Sequence, residues 1–220
     1  MSPAELTKIP LETKLIIFVK APRLGNVKTR LAESIGEHAA CAAYQTLVAR
    51  LVKNLDRLPG VELRFSPDDA AEEIRPWLRH DWLLSPQGPG DLGKKLNRAF
   101  QESFAAGATR VVLIGSDCPA IVAADIEMAW ATLATHDVVL GPAADGGYWL
   151  IALRQPQPNL FESIPWSTEK AFETTMARAH EAGLSLHCLR TLSDVDLIED
   201  WANFLSEKNS GKNDKRGTRS

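Results

Sequence analysis

At 220 residues, with 45% hydrophobic and 24% charged side chains, the chain is long enough for one sizeable α/β domain with a buried core. A net charge of −3 argues against nucleic acid or a membrane surface as partner, and no apolar run approaches the roughly 18 residues of a membrane span. Three cysteines (Cys41, Cys118, Cys188) and five scattered histidines argue against a disulfide framework or a zinc motif. With no signal-peptide core in "MSPAELTKIPLETK", they point to a reducing cytoplasm.

Short apolar runs alternate with helical periodicities, the pattern of an α/β fold. Residues 1–13 read as an N-terminal extension, and "KLIIFVK" (14–20) as a buried first strand. Residues 36–58 are expected to form a helix with Ala43, Leu47, Leu51 and Leu55 on one face. "VELRF" (61–65) alternates as a strand, "DAAEEIRPWL" reads as a short helix interrupted at Pro76, and "WLLS" (82–85) as a brief strand. Leu92, Leu96, Phe100 and Phe104 share a helical stripe across 91–106. "RVVLIG" (110–115) is a buried strand, followed by a helix carrying Ile126, Ala129, Trp130 and Leu133. "DVVLG" and "GYWLIAL" are strands around a Gly-rich turn, and Phe172, Thr175, Met176 and Ala179 mark a helix from Thr168 to about Ala182. "LSLHCL" is the last strand, before a terminal helix with Leu197, Ile198, Trp201 and Leu205. Residues 206–220 lose all apolar content and read as a disordered tail, which leaves one domain over 14–205.

Ligands of open α/β sheets bind at the carboxyl ends of the strands. Four such segments carry chemistry here. "KAPRLGNVKTRLAESIG" gathers Lys20, Arg23, Lys28 and Arg30 around Gly25 and opens into a helix, a combination suited to phosphates or simply a solvated basic loop. "LIGSDCPAI" delivers Asp117 to the tip of a buried strand, where it could hold Mg²⁺ or act as a turn residue. "GPAADGGYWLIAL" places Asp145, Gly146 and Gly147 in a hairpin turn that could also face a ligand, with Tyr148 beside it. "LSDVDLIEDW" brings Asp194 and Asp196 to the start of the last helix, as caps or as a second carboxylate for a metal on Asp117. Cys118 has no base at a diagnostic position and is not read as a nucleophile.

A fifth segment, "SPQGPGDLGKKLNRAF", contains Gly88-x-Gly90-x-x-Gly93, the spacing of a dinucleotide fingerprint. It follows at least two earlier strands and is crowded by Pro86 and Pro89, whereas the first βα turn carries the cationic loop instead. It reads better as Gln87, Gly90, Asp91 and Gly93 forming a turn, with Asp91 as helix N-cap and the glycines admitting the base or ribose of a nucleotide.

In this order, "FVKAPRLGNVKTRLA", "QGPGDLGKKL", "LIGSDCPAI", "GPAADGGYWLIAL", "PWSTEKAF" and "DVDLIEDW" resemble a bacterial family of radical-SAM/selenodomain-associated, arsenosugar-biosynthesis-type glycosyltransferases. That family is similar in fold to the GT-A nucleotide-diphospho-sugar transferases and to the cytidylyl- and guanylyl-transferases. The resemblance implies a three-layer α/β/α domain with a mostly parallel mixed sheet. It implies a phosphate loop of Ala21, Pro22, Arg23, Gly25, Lys28 and Arg30, and a Mg²⁺ or Mn²⁺ ion on Asp117 with Asp194 or Asp196. Asp145, Gly146, Gly147 and Tyr148 would belong to the acceptor side, with Trp166, Ser167 and Thr168 near it; Thr168 is also a plain helix N-cap.

Lys28 and the metal on Asp117 would neutralise the leaving phosphates, and Asp145 is a candidate base for a hydroxyl acceptor. The family places first a glycosyltransferase moving a sugar from a nucleotide-sugar to a small molecule. The cation-rich loop, and Asp117 standing in "SDCP" rather than a DxD motif, lean toward a nucleotidyltransferase joining an NTP to a phosphorylated small molecule. A nucleotide-binding protein without turnover is the third reading. The sequence leaves the oligomeric state open.

Overall fold

The computed structural model describes residues 12–213, with side chains described as far as Ser206. Seven strands form one sheet: β1 (Thr13–Lys20), β2 (Val61–Ser66), β3 (Leu83–Pro86), β4 (Arg110–Ile114), β5 (Val138–Pro142), β6 (Tyr148–Leu153) and β7 (Leu186–Cys188). Their spatial order is β3-β2-β1-β4-β6-β5-β7. All neighbours are parallel except the two pairings of β6, which runs antiparallel to β4 and β5. The helices are α1 (Thr29–Ile35), α2 (Glu37–Leu55), α3 (Ala71–Ile74), α4 (Leu92–Ala105), α5 (Ala123–Thr132), α6 (Ala171–Glu181) and α7 (Ile198–Asn213).

The continuous apolar runs of β1 and β4 are explained by burial on both faces. Leu15, Ile17, Val112 and Ile114 pack with Tyr44, Leu51, Ile74, Ile126 and Trp130 on the α2–α3–α5 side. Ile16, Phe18, Val111 and Leu113 face Leu96, Phe100 and Ala179 of α4 and α6. The result is the three-layer α/β/α architecture that the sequence predicts.

Several expected elements differ in detail. The alternation of β2 suggests a half-exposed strand, yet Glu62 and Arg64 are both 3% exposed. They are tolerated because they are paired: Lys14 Nζ lies 2.5 Å from Glu62, Arg64 Nε 2.9 Å from Glu62, and Arg64 Nη1 2.7 Å from Glu102. The helix expected from residue 36 is preceded by a separate one, because Gly36 at φ 82° breaks α1 from α2. Trp201 of α7, with Ala32 and Ile35, packs against a small cluster of Leu31 from α1 and Ala40 and Ala43 from α2. The N-cap position of α6 is Lys170, not Thr168, whose hydroxyl donates to the Pro165 carbonyl at 2.7 Å. Helix α7 continues to Asn213, into the stretch where composition suggests a tail. The rest of that tail (214–220) and residues 1–11 of the N-terminal extension lie outside the described residues.

The two central strand tips are tied to α2 by one hydroxyl. Tyr44 Oη accepts from the Lys20 backbone N–H at 2.8 Å and lies 3.0 Å from Ser116 Oγ, with Tyr44 and Ser116 both buried. Burial pushes the Tyr44 phenol upward in pKa, so it remains a neutral bridge. Tyr44→Phe keeps the ring and orphans these partners, and is expected to cost about 1–3 kcal/mol in chemical denaturation.

Candidate active site

The carboxyl edge of the sheet brings the four strand-end segments of the sequence together around a cavity of about 810 Å³. From β1 the chain turns tightly, with Arg23 N bonded to Ala21 O and Asn26 N to Arg23 O. It then reaches Lys28, which has left-handed backbone angles (φ 49°, ψ 46°) at the head of α1. Such a conformation is uncommon and costly for a non-glycine residue. Here it aims the side chain inward: Lys28 Nζ lies 2.5 Å from Asp117 Oδ1 and 2.9 Å from Asp196 Oδ1, with the lysine side chain only 2% exposed. Burial pulls the ammonium toward losing its proton, but the charges and hydrogen bonds of Asp117 and Asp196 outweigh it, and its pKa stands above the ordinary lysine value.

The carboxylates are held by backbone. Asn54 Nδ2 of α2 donates to the carbonyls of Pro119 and Ile121 at 3.1 and 2.9 Å, fixing the turn after Asp117. Val195 N donates to Asp117 O at 3.1 Å, which docks the 194–196 segment against it. Neither Asp194 nor Asp196 caps α7; Asp200 Oδ2 accepts from Asp196 N and Leu197 N instead. Burial raises the Asp194 carboxyl to about 7, reinforced by the charge of Asp117 and opposed by Lys28, with Asp196 and Asp145 adding to the rise. Cys118 is buried and its thiol is pushed up to about 12, consistent with no nucleophilic role.

On the other side, the β5–β6 turn and the segment before α6 form a second wall. Asp145 Oδ1 accepts from Gly147 N at 2.9 Å, and Gly146 at φ 85° packs so closely on the Glu169 backbone that a Cβ there would collide. Ser167 is also left-handed, at φ 63°. Tyr148 and Trp166 meet edge to face at 6.2 Å. The Tyr148 hydroxyl is buried beside Thr175, so the ring, rather than the hydroxyl, is what this residue offers the cavity.

The family model described as an uncharacterized protein conserved in bacteria (DUF2064) matches residues 51–168, more than half of the sequence. The chain belongs to this family. A protein from Desulfovibrio desulfuricans G20, provisionally described as a nucleotide-diphospho-sugar transferase, is 34% identical over 86% of this chain and 84% of its own, with a TM-score of 0.81. CMP:2-keto-3-deoxy-manno-octonic acid synthetase complexed with CTP shares 10% identity over 90% of this chain and all of its own, at a TM-score of 0.57. Rv0371C of Mycobacterium tuberculosis H37Rv, in complex with manganese, shares 16% over 89% and 99%, at 0.50. The fold is therefore that of nucleotide-diphospho-sugar transferases and nucleotidyltransferases. No curated protein matches the chain.

In this DUF2064 chain, Lys28, Arg30, Gln87, Asp117, Asp145, Gly147, Tyr148, Trp166, Ser167, Thr168, Asp194 and Asp196 all line the cavity. Other predicted residues shape it from outside. Ala21 is buried in the core, and the Pro22 carbonyl accepts from Cys41 Sγ. Arg23 is engaged by Asp69 and Glu73 at 3.1 and 2.6 Å. Gly25 and Gly90 supply turns at φ 74° and 111°. Asp91 caps α4 as expected, accepting from Lys94 N at 2.8 Å. The Gln87 amide is spent on the carbonyls of Val19 and Arg64 at 3.1 and 3.0 Å. Gly93 is buried where a Cβ would come within 2.5 Å of the Phe161 carbonyl and 3.0 Å of Trp166 Nε1. Sequence reasoning missed Asn26, Thr29, Tyr44, Ser116 and Glu169, which also line the cavity. Only Ser116, next to Asp117 at a strand tip, carried a visible signal.

The raised carboxyl of Asp194 makes a signed prediction. A carboxyl that binds its proton more tightly in the folded state favours folding below its unfolded pKa near 4, and that advantage is lost as pH rises through about 7. Asp194→Asn is therefore expected to raise the melting temperature relative to the parent at pH 8, and to leave it little changed near pH 4.

Proposed function

We propose that this protein is a metal-dependent transferase of the GT-A type, moving a sugar from a nucleotide-sugar to a small-molecule acceptor. The observation that carries the reading is how charge is distributed along the cavity. Its lining cations, Lys20, Lys28 and Arg30, all come from the β1–α1 segment, while the β5–β6 wall contributes Asp145 and, with the segment before α6, Glu169. A donor diphosphate is matched by cations at one end only. Joining an NTP to a phosphorylated acceptor would need positive charge at the other end too.

The residues suit a divalent ion by their chemistry. Asp117, Asp194 and Asp196 are hard oxygen donors, and burial, with the charge of Asp117 behind it, raises the Asp194 carboxyl to about 7. Among the described residues no three His, Cys, Asp or Glu side chains converge as a ready cage. Mg²⁺ or Mn²⁺ held by one or two carboxylates together with donor phosphates asks for fewer protein ligands. Asp117, with Asp194 or Asp196, would hold it, and when bound it supplies charge neutralisation to the departing diphosphate. Lys28 and Arg30 bind phosphate oxygens from the loop side. Asp145, one of whose oxygens is fixed by Gly147 N, takes the proton of the acceptor hydroxyl.

The motif resemblance extends the reading to the radical-SAM- and selenodomain-associated branch. The free thiols of Cys41, Cys118 and Cys188 suit action in the cytoplasm. Among the described residues no helix is long and apolar enough to cross a membrane.

A thermal-shift panel of nucleotide-sugars and nucleoside triphosphates, with and without Mn²⁺, tests the reading. Stabilisation by a nucleotide-sugar that needs Mn²⁺ and is lost in Asp117→Ala is expected, with Mn²⁺ affinity rising up to about pH 7 as Asp194 gives up its proton. Pyrophosphate release from a triphosphate would move the assignment to nucleotidyl transfer. Stabilisation by a nucleotide without any turnover would leave a binding protein.

A further inference from the structure

Beyond its charged end, the cavity has an apolar lobe on the α4–α6 face of the sheet. Phe18, Leu96 and Ile151 lie buried beneath it, Tyr148 and Trp166 are partly covered, and Leu92 is 41% exposed. The neighbouring cations of α4 are turned to other tasks. Lys94 packs over Gly90, Lys95 Nζ reaches Ser66 Oγ at 3.5 Å, and Arg98 donates to the carbonyls of Gln87 and Pro89 at 2.7 and 2.8 Å. The charged side chains next to the aromatic pair are Asp145 and Glu169, each three residues from Tyr148 or Trp166, while Lys20, two residues beyond Phe18 on the same face of β1, lines the cavity on the far side of the lobe. An acceptor whose phosphate or carboxylate sat on the Tyr148–Trp166 side would have to lose water beside these two carboxylates, which is unfavourable.

The lobe is built by close packing at defined points. Gly93 has no side chain, and this lets the Phe161 carbonyl and the Trp166 indole settle on α4. Gly146 does the same for the Glu169 backbone, and Phe172 N donates to Gly146 O at 3.0 Å, so the turn and the segment before α6 are held as one wall. The Tyr148 and Trp166 rings stand at 76° to each other, leaving an aromatic corner of fixed shape.

We propose that the acceptor is an uncharged alcohol with an apolar, ring-sized body, seated on Tyr148 and Trp166 with its hydroxyl turned toward Asp145. This rests on the glycosyl-transfer reading. The acceptor oxygen forms a bond to the anomeric carbon as the bond from that carbon to the diphosphate oxygen breaks. The electron pair leaves with the nucleoside diphosphate, and the hydroxyl proton passes to the Asp145 carboxylate. The apolar body does for the acceptor what the cations do for the donor: it holds one reactant while excluding water.

The test uses the full chain labelled with 5-fluorotryptophan, with the Trp166 resonance assigned through Trp166→Phe and followed by ¹⁹F NMR. Benzyl alcohol and benzyl phosphate are the probes, a pair that differs in charge on the same ring, added without nucleotide or metal. Saturable movement of the Trp166 signal by benzyl alcohol, with weaker movement by benzyl phosphate, is expected. Leu92→Lys, at an exposed position, should shift the preference toward the phosphate by roughly two- to fivefold. Equal or stronger binding of benzyl phosphate to the parent chain overturns the proposal, as does benzyl alcohol that leaves Trp166 unmoved. Because these probes need no donor, a failure of nucleotide-sugar binding would remove the transferase reading while leaving this result standing. Nucleotide-sugar binding with no response to benzyl alcohol would remove the acceptor inference alone.

Discussion

A lysine ammonium taken almost wholly out of water must be met by anions, and much of the carboxyl edge is arranged around that requirement at Lys28. Its partners come from two distant parts of the chain, Asp117 after β4 and Asp196 before α7. Lys28 reaches them from a left-handed backbone, a strained conformation that accompanies its fixed charge position. A third acid, Asp194, is raised chiefly by burial and then by the charge of Asp117, a rise that the Lys28 ammonium opposes without cancelling. The cluster as it stands holds more carboxylates than cations.

The fold was legible where burial alone dictates pattern. The apolar runs of β1 and β4 read correctly because both faces of those strands are covered, and the stripe of α2 because its burial follows the helical period. Legibility failed where a long-range partner changes what a residue costs. Glu62 and Arg64 look like solvent-facing positions until Lys14 and Glu102, from another strand and a helix, close around them. Gly36 looks like part of a helix start, yet its positive φ divides two helices so that Trp201 can pack on the first.

The site divides along the same line. Strand-end acids and the β1–α1 cations were visible because a short polar cluster after a buried strand either turns the chain or meets a ligand. Lys28, Asp117, Asp145, Asp194 and Asp196 do meet at one cavity. Side-chain direction was not visible. Arg23 has the composition of a phosphate ligand and is held by Asp69 and Glu73. Tyr148 has the position of an acceptor contact and buries its hydroxyl toward α6. The glycines of "GPGDLG" show the difficulty most clearly. Their spacing imitates a dinucleotide fingerprint, but Gly88 makes room for the Arg98 guanidinium and Gly93 for Phe161 and Trp166. Spacing records that a side chain is unwelcome, without saying what takes its place.

The two walls of the cavity are also mechanically joined, which bears on how a donor and an acceptor could be held in register. Ala144 N donates to Leu192 O at 2.9 Å and Leu192 N to Pro142 O at 3.1 Å, so the segment that delivers Asp194 and Asp196 runs alongside the turn that carries Asp145. Val195 N then bonds to Asp117 O, closing a backbone circuit from the Asp145 turn through the acidic segment to the tip of β4. Carboxylates connected this way cannot drift independently, and transfer between two bound molecules is sensitive to displacements of about 1 Å. The antiparallel insertion of β6 is what makes the circuit possible. It places the start of β6, and with it the Asp145 turn, at the same edge of the sheet as the carboxyl ends of β1, β4 and β5.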